Sequence, residues 1–418
     1  MKKWISSLCA FLALAVGVYA GPARAQDLKP GEVIGPNNWK RAEGMMAAYY
    51  LERLKQGEKI LIGEPPATSE PKEYVEATRK YSGQVRLDPN NDGLIGYVAG
   101  KPFPEIDPKD PKAGLKIIWN HYWGWMGDDF SNGVVGGKGS NFKRVVIFEN
   151  KNEIEAETGF HNLRAMGRIS IPPIPAFPDA KEKDIEFYFM SATMYPRDTA
   201  GTTFLLQRYT DPSKWDDMWI FIPSIRRVRR FPTSQRCATL APTDYNSDDS
   251  GRGFNGKVPH FVNKLVGKQK ILMVSDWGGK PYPGRDHGDF FPKDMVWRPH
   301  DTWVVEQVSK DPGYCYSKRL VWLDPVTFQI PRVQDYDRKG ELWKDLAVSY
   351  DGLDLEKLSG LKPGYRLIPV HVSMKNVQTG RITMSLIPAG FNFNMGLQPR
   401  QFSLTTIEQG IRGASLIR

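Results

Sequence analysis

The densest polar cluster in the 418-residue sequence is Arg285-Asp286-His287-Gly288-Asp289. An arginine and an imidazole among two carboxylates could hold a divalent cation or a phosphate, or supply a general base. The cluster lies between Pro281-Tyr282-Pro283-Gly284 and Phe290-Phe291-Pro292, which equally fits a loop whose polar side chains bond their own backbone. The six histidines (His121, His161, His260, His287, His300, His371) are dispersed, and no pair has metal-ligand spacing on a helix. Asp88-Pro89-Asn90-Asn91-Asp92-Gly93 mimics the start of a calcium loop, but Ala99 stands where the bidentate Glu belongs, so it reads as a tight turn. There is no Gly-x-Ser-x-Gly elbow and no glycine-rich phosphate loop before a helix, and Ser359-Gly360-Leu361-Lys362 is a lone Ser-x-x-Lys match. The expectation is a protein with no catalytic residue, no metal and no cofactor. A hydrolase centred on His287 with Asp286 or Asp289 is the enzymatic alternative.

A second polar concentration is cationic. Met218 to Ile222 reads as an apolar strand, Pro223-Ser224 as a turn, and Ile225 to Phe231 as a returning strand with Arg226, Arg227, Arg229 and Arg230 around Val228. Side chains alternate along a strand, so Arg227 and Arg229 point one way and Arg226 and Arg230 the other. Guanidinium groups on both faces require carboxylates or water. Asp216, Asp217, Asp244, Asp248 and Asp249 are the nearby supply.

Residues 1–25 have the form of a secretory signal: Lys2 and Lys3, an apolar run from Trp4 to Tyr19, and Ala23-Arg24-Ala25 as the cleavage site. That run is shorter than the roughly 20 residues of a spanning helix. The expected mature chain, 26–418, is exported to the periplasm as one domain. It divides into a helical and irregular part (26–142), an antiparallel sheet (143–390) and a tail (391–418). The formal charge is +10; the leader supplies three of these charges, leaving +7. In an exported chain such a bias points to anionic head groups and transient contact with a membrane surface, not to nucleic acid. Cys237 and Cys315 remain after cleavage, and an oxidising compartment favours their disulfide.

Among the elements that would position these groups, Asn38 to Gln56 has apolar residues at helical steps, and Lys112 to Trp123 places Leu115, Ile118, Trp119 and Tyr122 on one helical face. Gly63 to Gly114 reads as irregular. From Lys143 the pattern changes to apolar runs separated by turn residues, the signal of successive hairpins. The runs are Lys143–Glu149, Ile154–Ser170, Ile185–Tyr195, Thr203–Tyr209, Thr302–Ser309, Cys315–Leu323, Gln329–Tyr336, Leu342–Tyr350, Val370–Asn376 and Arg381–Leu386. In the last pair Val370, Val372 and Met374 alternate with His371, Ser373 and Lys375, as do Ile382, Met384 and Leu386 with Thr383 and Ser385. Strands such as Phe187-Tyr188-Phe189-Met190 and Met218 to Ile222 are apolar on both faces and must be covered on both. The second cover is either the N-terminal helical region or an apolar guest, and the residues alone do not choose.

Two motifs add a resemblance. The aromatic strand followed by Pro223-x-x-Arg226-Arg227-Val228-Arg229-Arg230 and an Asp-rich loop ending in Phe254-Asn255-Gly256 resembles the LolA and LolB type of outer-membrane lipoprotein-sorting carriers. Gly100-Lys101-Pro102-Phe103-Pro104 followed by Ile118-Trp119-Asn120-His121 resembles the exported family of domain of unknown function 1329. The resemblance implies an α+β fold in which a large curved antiparallel sheet, an open half-barrel, wraps around helices. It also implies binding or transfer of a lipid or other hydrophobic molecule, with an inner- or outer-membrane transporter as partner. On that reading Trp119, Trp123, Phe187, Phe189, Trp219, Phe221, Trp303 and Trp322 face the ligand, and Arg227, Arg229 and Arg230 meet its head group. An outer-membrane assembly protein without a small ligand is the alternative from another class.

Overall fold

The computed structural model describes residues 28–64, 69–132, 142–147, 153–232, 236–240, 243–249, 252–275, 291–292, 295–354, 365–386 and 391–409. The expected signal segment, the cluster around His287 and Ser359 to Lys362 lie outside the described residues.

The early strands are β1 Val33–Ile34, β2 Ile60–Ile62, β3 Arg86–Leu87, β4 Leu94–Ile95, β5 Asp129–Asn132, β6 Phe142–Ile147 and β7 Glu153–Arg164. There follow β8 Ile185–Tyr195, β9 Thr203–Tyr209, β10 Asp217–Ile222, β11 Arg227–Arg230, β12 Phe261–Val274 and β13 Val296–Ser309. The last are β14 Lys318–Leu323, β15 Arg332–Tyr336, β16 Leu342–Asp354, β17 Tyr365–Asn376, β18 Ile382–Leu386 and β19 Asn392–Phe393. Five helices accompany them in the described residues: α1 Ala48–Lys55, α2 Lys72–Tyr81, α3 Ala113–Tyr122, α4 Pro178–Glu182 and α5 Leu404–Glu408.

Two antiparallel meanders, β6 to β11 and β12 to β18, join where β18 pairs with β6. The result is a large, open, curved sheet and not a closed barrel. The outermost strands of the two meanders, β11 and β12, are consecutive in the chain, so the segment between them returns from one margin to the other. The β12–β16 half curls furthest: Ser275, just after β12, bridges to Tyr350 of β16. β5 extends the sheet beside β7, β19 beside β5, and β2 runs parallel to the start of β13. The sheet therefore exceeds the expected 143–390 at both ends.

Helix α3 defines the inner side. Leu115, Ile117, Ile118 and Trp119 pack with Val305, Val321, Leu323, Val333, Leu346 and Val348 of the curled half. Each such buried aliphatic contributes about 1.5–3 kcal/mol. Helix propensities differ by less than 1 kcal/mol per residue, and the first turn of α3 has no side-chain cap, so packing is what places it. Gly114 permits the close approach, because a Cβ there would stand 2.5 Å from the Leu265 backbone nitrogen.

The outer side is covered by α1 and by the segment that ends in α5. Against the β16–β17 half, the Tyr49 and Tyr50 hydroxyls bond Ser373 Oγ at 2.7 and 2.6 Å, and the Ala48 N–H donates to Asp345. Against the β7–β11 half, Leu397, Phe402 and Ile407 pack on Leu163, Tyr188, Met190 and Leu205.

Several expectations are corrected. Asn38 to Gln56 is not one helix: a 3-10 turn at Trp39–Ala42 and α1 are separated at Gly44, whose φ of +75° breaks the helical path. Gly63 to Gly114 is not wholly irregular, since it contains α2, whose buried stripe is only Tyr74 and Ala77, and the β3–β4 hairpin. Arg226 is a turn residue at φ +51°, not a strand residue. The β17–β18 register pairs Ser373 with Met384 and Met374 with Thr383, so each face is mixed, and His371 and Ser373 are fully buried.

Candidate functional site

Four of the five acids near the arginine strand serve other bases. Asp216 accepts from Arg208 Nη2 at 2.8 Å and Asp248 from Arg236 Nε at 2.9 Å. Asp244 pairs with Arg381, and Asp249 with Arg319 and Lys344. Asp335 accepts from Arg319 Nε at 2.6 Å, and the Tyr316 hydroxyl donates to Asp249 at 2.7 Å. This network, buried between the returning loop and the inner side of β14–β16, pins that loop in place. Burial alone would raise the Asp216 and Asp248 carboxyls, but Arg208 and Arg236 outweigh it and hold both below the usual range. The disulfide Cys237–Cys315 ties the same loop to the segment before β14.

Among the described residues, Arg230 is the strand arginine with a carboxylate, Asp217, on the outer side. Arg227 and Arg229 are exposed and make no ion pair or hydrogen bond with a described residue. Register sets them opposite Ile222 and Ile220, on the other face from Arg230.

The eight apolar residues expected to face a ligand do not come together. Trp119, Trp123 and Trp303 belong to the packed inner core, with Trp119 Nε1 donating to the Asp92 carbonyl at 3.0 Å. Trp322 lies on the outer face with Ile271, Val304 and Leu320, under the Arg332 guanidinium. Trp219 and Phe221 are also outer-facing, beside the C-terminal cover. Phe187 carries the Arg208 guanidinium 4.9 Å above its ring. In the curled half the inner cover is the protein's own helix and side chains, not a guest. Two voids, one beside Tyr50 and Trp297 and one beside Trp123 and Trp125, measure about 10 Å³ each, the limit for a single water.

Phe189 leads to a different surface. Backbone pairing from Val372 through Ser385, Arg144 and Ala156 carries the inner side across to the other meander. One line of cross-strand partners there is Phe160, Ser191, Phe204, Ile220 and Arg229; the adjacent line is Asn162, Phe189, Leu206 and Met218. Ring centroids step from Phe391 to Phe130 (5.4 Å), Phe160 (6.1 Å), Phe189 (5.9 Å) and Phe204 (6.4 Å). Phe130, Phe160, Phe189, Phe204, Ile220 and Ile222 are each only partly buried. This apolar strip ends at Arg227 and Arg229, which have no counter-ion among the described residues. Phe160 and Phe204 lie in strands legible from the sequence; what singles them out is the register aligning them with Phe189.

One constellation has the residue types of a hydrolase. Ser275 Oγ is 2.9 Å from His300 Nε2, and His300 Nδ1 is 3.8 Å from Asp324. Ser275 is fully buried and its carbonyl accepts from Arg298 at 2.6 Å. It also makes the bridge to Tyr350, so the group clasps the seam of the curled half. In the calcium-like turn, Asp92 is paired with Lys112 and Lys310 at 2.8 Å each.

One solved structure shares this architecture. A Vibrio parahaemolyticus domain named for outer-membrane lipoprotein sorting superposes with a TM-score of 0.50 at 19% identity, covering 72% of this chain and 100% of that one. At that identity the likeness shows a shared fold. A DUF1329 family protein from Desulfovibrio piger ATCC 29098 gives 0.49 at 17% identity, over 72% and 99% of the two chains. An uncharacterised protein from Pseudomonas aeruginosa is 23% identical over 280 residues, 64% of this chain and 57% of that protein, so the match spans less than two thirds of the relative. The family model described as a protein of unknown function matches residues 34–406, and on that extent the chain belongs to the DUF1329 family.

Proposed function

We propose that the protein binds and hands on a lipid or other hydrophobic molecule, and that it does so on the open inner strip of β5 and β7–β10. The observation that carries this reading is the run of partly exposed phenylalanines on the inner side of a lipoprotein-sorting-like fold. Single exposed apolar residues need no explanation, whereas a contiguous strip does. The leader-like start and the envelope role in the name of the Vibrio domain support a periplasmic location. A membrane transporter as donor or acceptor, and transient contact with a membrane surface, belong to the same reading.

An open strip suits transfer. Enclosing an acyl chain of ~16 carbons is worth on the order of 10 kcal/mol at about 0.8 kcal/mol per CH₂. A surface that covers one side recovers roughly half, and ~5 kcal/mol corresponds to a sub-millimolar Kd. Such a ligand leaves easily. The test is titration with the uncharged fluorophore N-phenyl-1-naphthylamine. Saturable binding that the double variant Phe189→Ala/Phe204→Ala weakens at least tenfold is expected. Absence of saturable binding to the unmodified protein removes the proposal.

A further inference from the structure

We infer that the molecule taken up on this strip is a single-tailed anionic amphiphile, lying across the strands with its anionic head on Arg227 and Arg229. The inference rests on the hydrophobic-carrier reading and specifies its ligand.

Three observations carry it. First, the cations are divided by face. Arg230 has Asp217 on the outer side, while Arg227 and Arg229 are exposed on the inner side without a described counter-ion, although five aspartates lie nearby in sequence. Four of those acids are committed to Arg208, Arg236, Arg381, Arg319 and Lys344 and the fifth to Arg230, so the inner pair is left available to an external anion. Second, the two guanidiniums terminate the apolar strip directly: Arg229 pairs in register with Ile220 and Arg227 with Ile222. Third, the length fits. From Phe160 on β7 to Arg229 on β11 there are four strand intervals. At ~4.8 Å each this is ~19 Å, close to the ~15 Å that one lipid leaflet's tails span. Guanidinium groups bind carboxylate and phosphate oxygens through charge-assisted bonds, which supply the affinity that a one-sided apolar contact lacks.

The test uses cis-parinaric acid and its methyl ester, which share a tail and differ in the head charge. In 50 mM salt the acid should bind at least tenfold more tightly than the ester, and 500 mM salt should erase most of that difference. Arg227→Gln/Arg229→Gln should bring the acid down to the affinity of the ester with an unchanged melting curve, while Arg230→Gln keeps the preference. If acid and ester bind alike, or the double variant still prefers the acid, the inference is overturned while the hydrophobic reading stands. If neither probe binds, both fall. If the double variant loses only its association with intact phosphatidylglycerol vesicles and keeps its preference for the monomeric acid, the arginines serve a membrane surface and the inference is overturned.

Discussion

Strands β13–β17 and strands β7–β10 present the same alternation to the inner side of one sheet, yet the two regions end in different states. In the first, Val305, Val321, Leu346 and Val348 meet α3 and are buried. Beside them Arg319, Lys344, Asp249 and Asp335 form a buried ion network. In the second, Phe160, Phe189 and Phe204 stay partly exposed, and Arg227 and Arg229 at their margin make no ion pair with a described residue. The difference lies in what crosses the face. The curled half closes on a helix and on a loop held by a disulfide, whereas at the flatter half the described helices α4 and α5 sit on the outer side. On the proposed reading, stability and ligand contact fall to different stretches of one surface.

The largest expected effect comes from breaking the packed half at its charges. Asp249→Ala leaves Arg319 and Lys344 short of a buried counter-ion. It should lower unfolding free energy by about 3–5 kcal/mol in urea titration. A loss below ~1 kcal/mol would mean that water reaches the network and that the two halves are less different than they look. Removing the loop tie with Cys237→Ser/Cys315→Ser should cost about 2–4 kcal/mol and leave N-phenyl-1-naphthylamine binding intact, since the disulfide lies on the packed half.

Acid should act on the packed half as well. Burial alone pushes the His371 imidazole down to about 3, so the folded state holds it neutral while the unfolded chain takes up a proton near pH 6.5. Its contribution is present above pH ~6.5 and is lost as pH falls toward 3, by at most about 1.4 kcal/mol per pH unit. Asp335 opposes this: burial, against the pull of Arg319, raises it to about 6. Its protonated form favours folding below pH ~4, and that contribution fades as pH rises toward 6. His371→Asn should flatten the loss of stability between pH 6.5 and 4. An unaltered slope in that variant would exclude His371 as its source.

The smallest stability effect belongs to the open half. Phe204→Ala removes a ring that is already partly hydrated, and it should change unfolding free energy by under about 1 kcal/mol. Ile118→Ala, in the packed half, should cost about 2–5 kcal/mol. Comparable losses from the two substitutions would show that the strip is ordinary core.

The sequence by itself determined the hairpins, because turn residues and period-two alternation are local. β8, β9, β14, β16 and β18 lie close to their expected spans, and α3 was legible from its apolar stripe. The pairing of Cys237 with Cys315 was available from compartment alone. Only the tertiary structure decided which aspartate answers which arginine, because Asp216 with Arg208 and Asp249 with Arg319 depend on a loop that recrosses the sheet. Likewise, aromatic residues such as Trp119, Trp322 and Phe189 are chemically alike in a sequence. Strand order and register sent the first to a filled core, the second to the outer face and the third to an open strip, since burial is a property of what lies opposite and not of the residue itself.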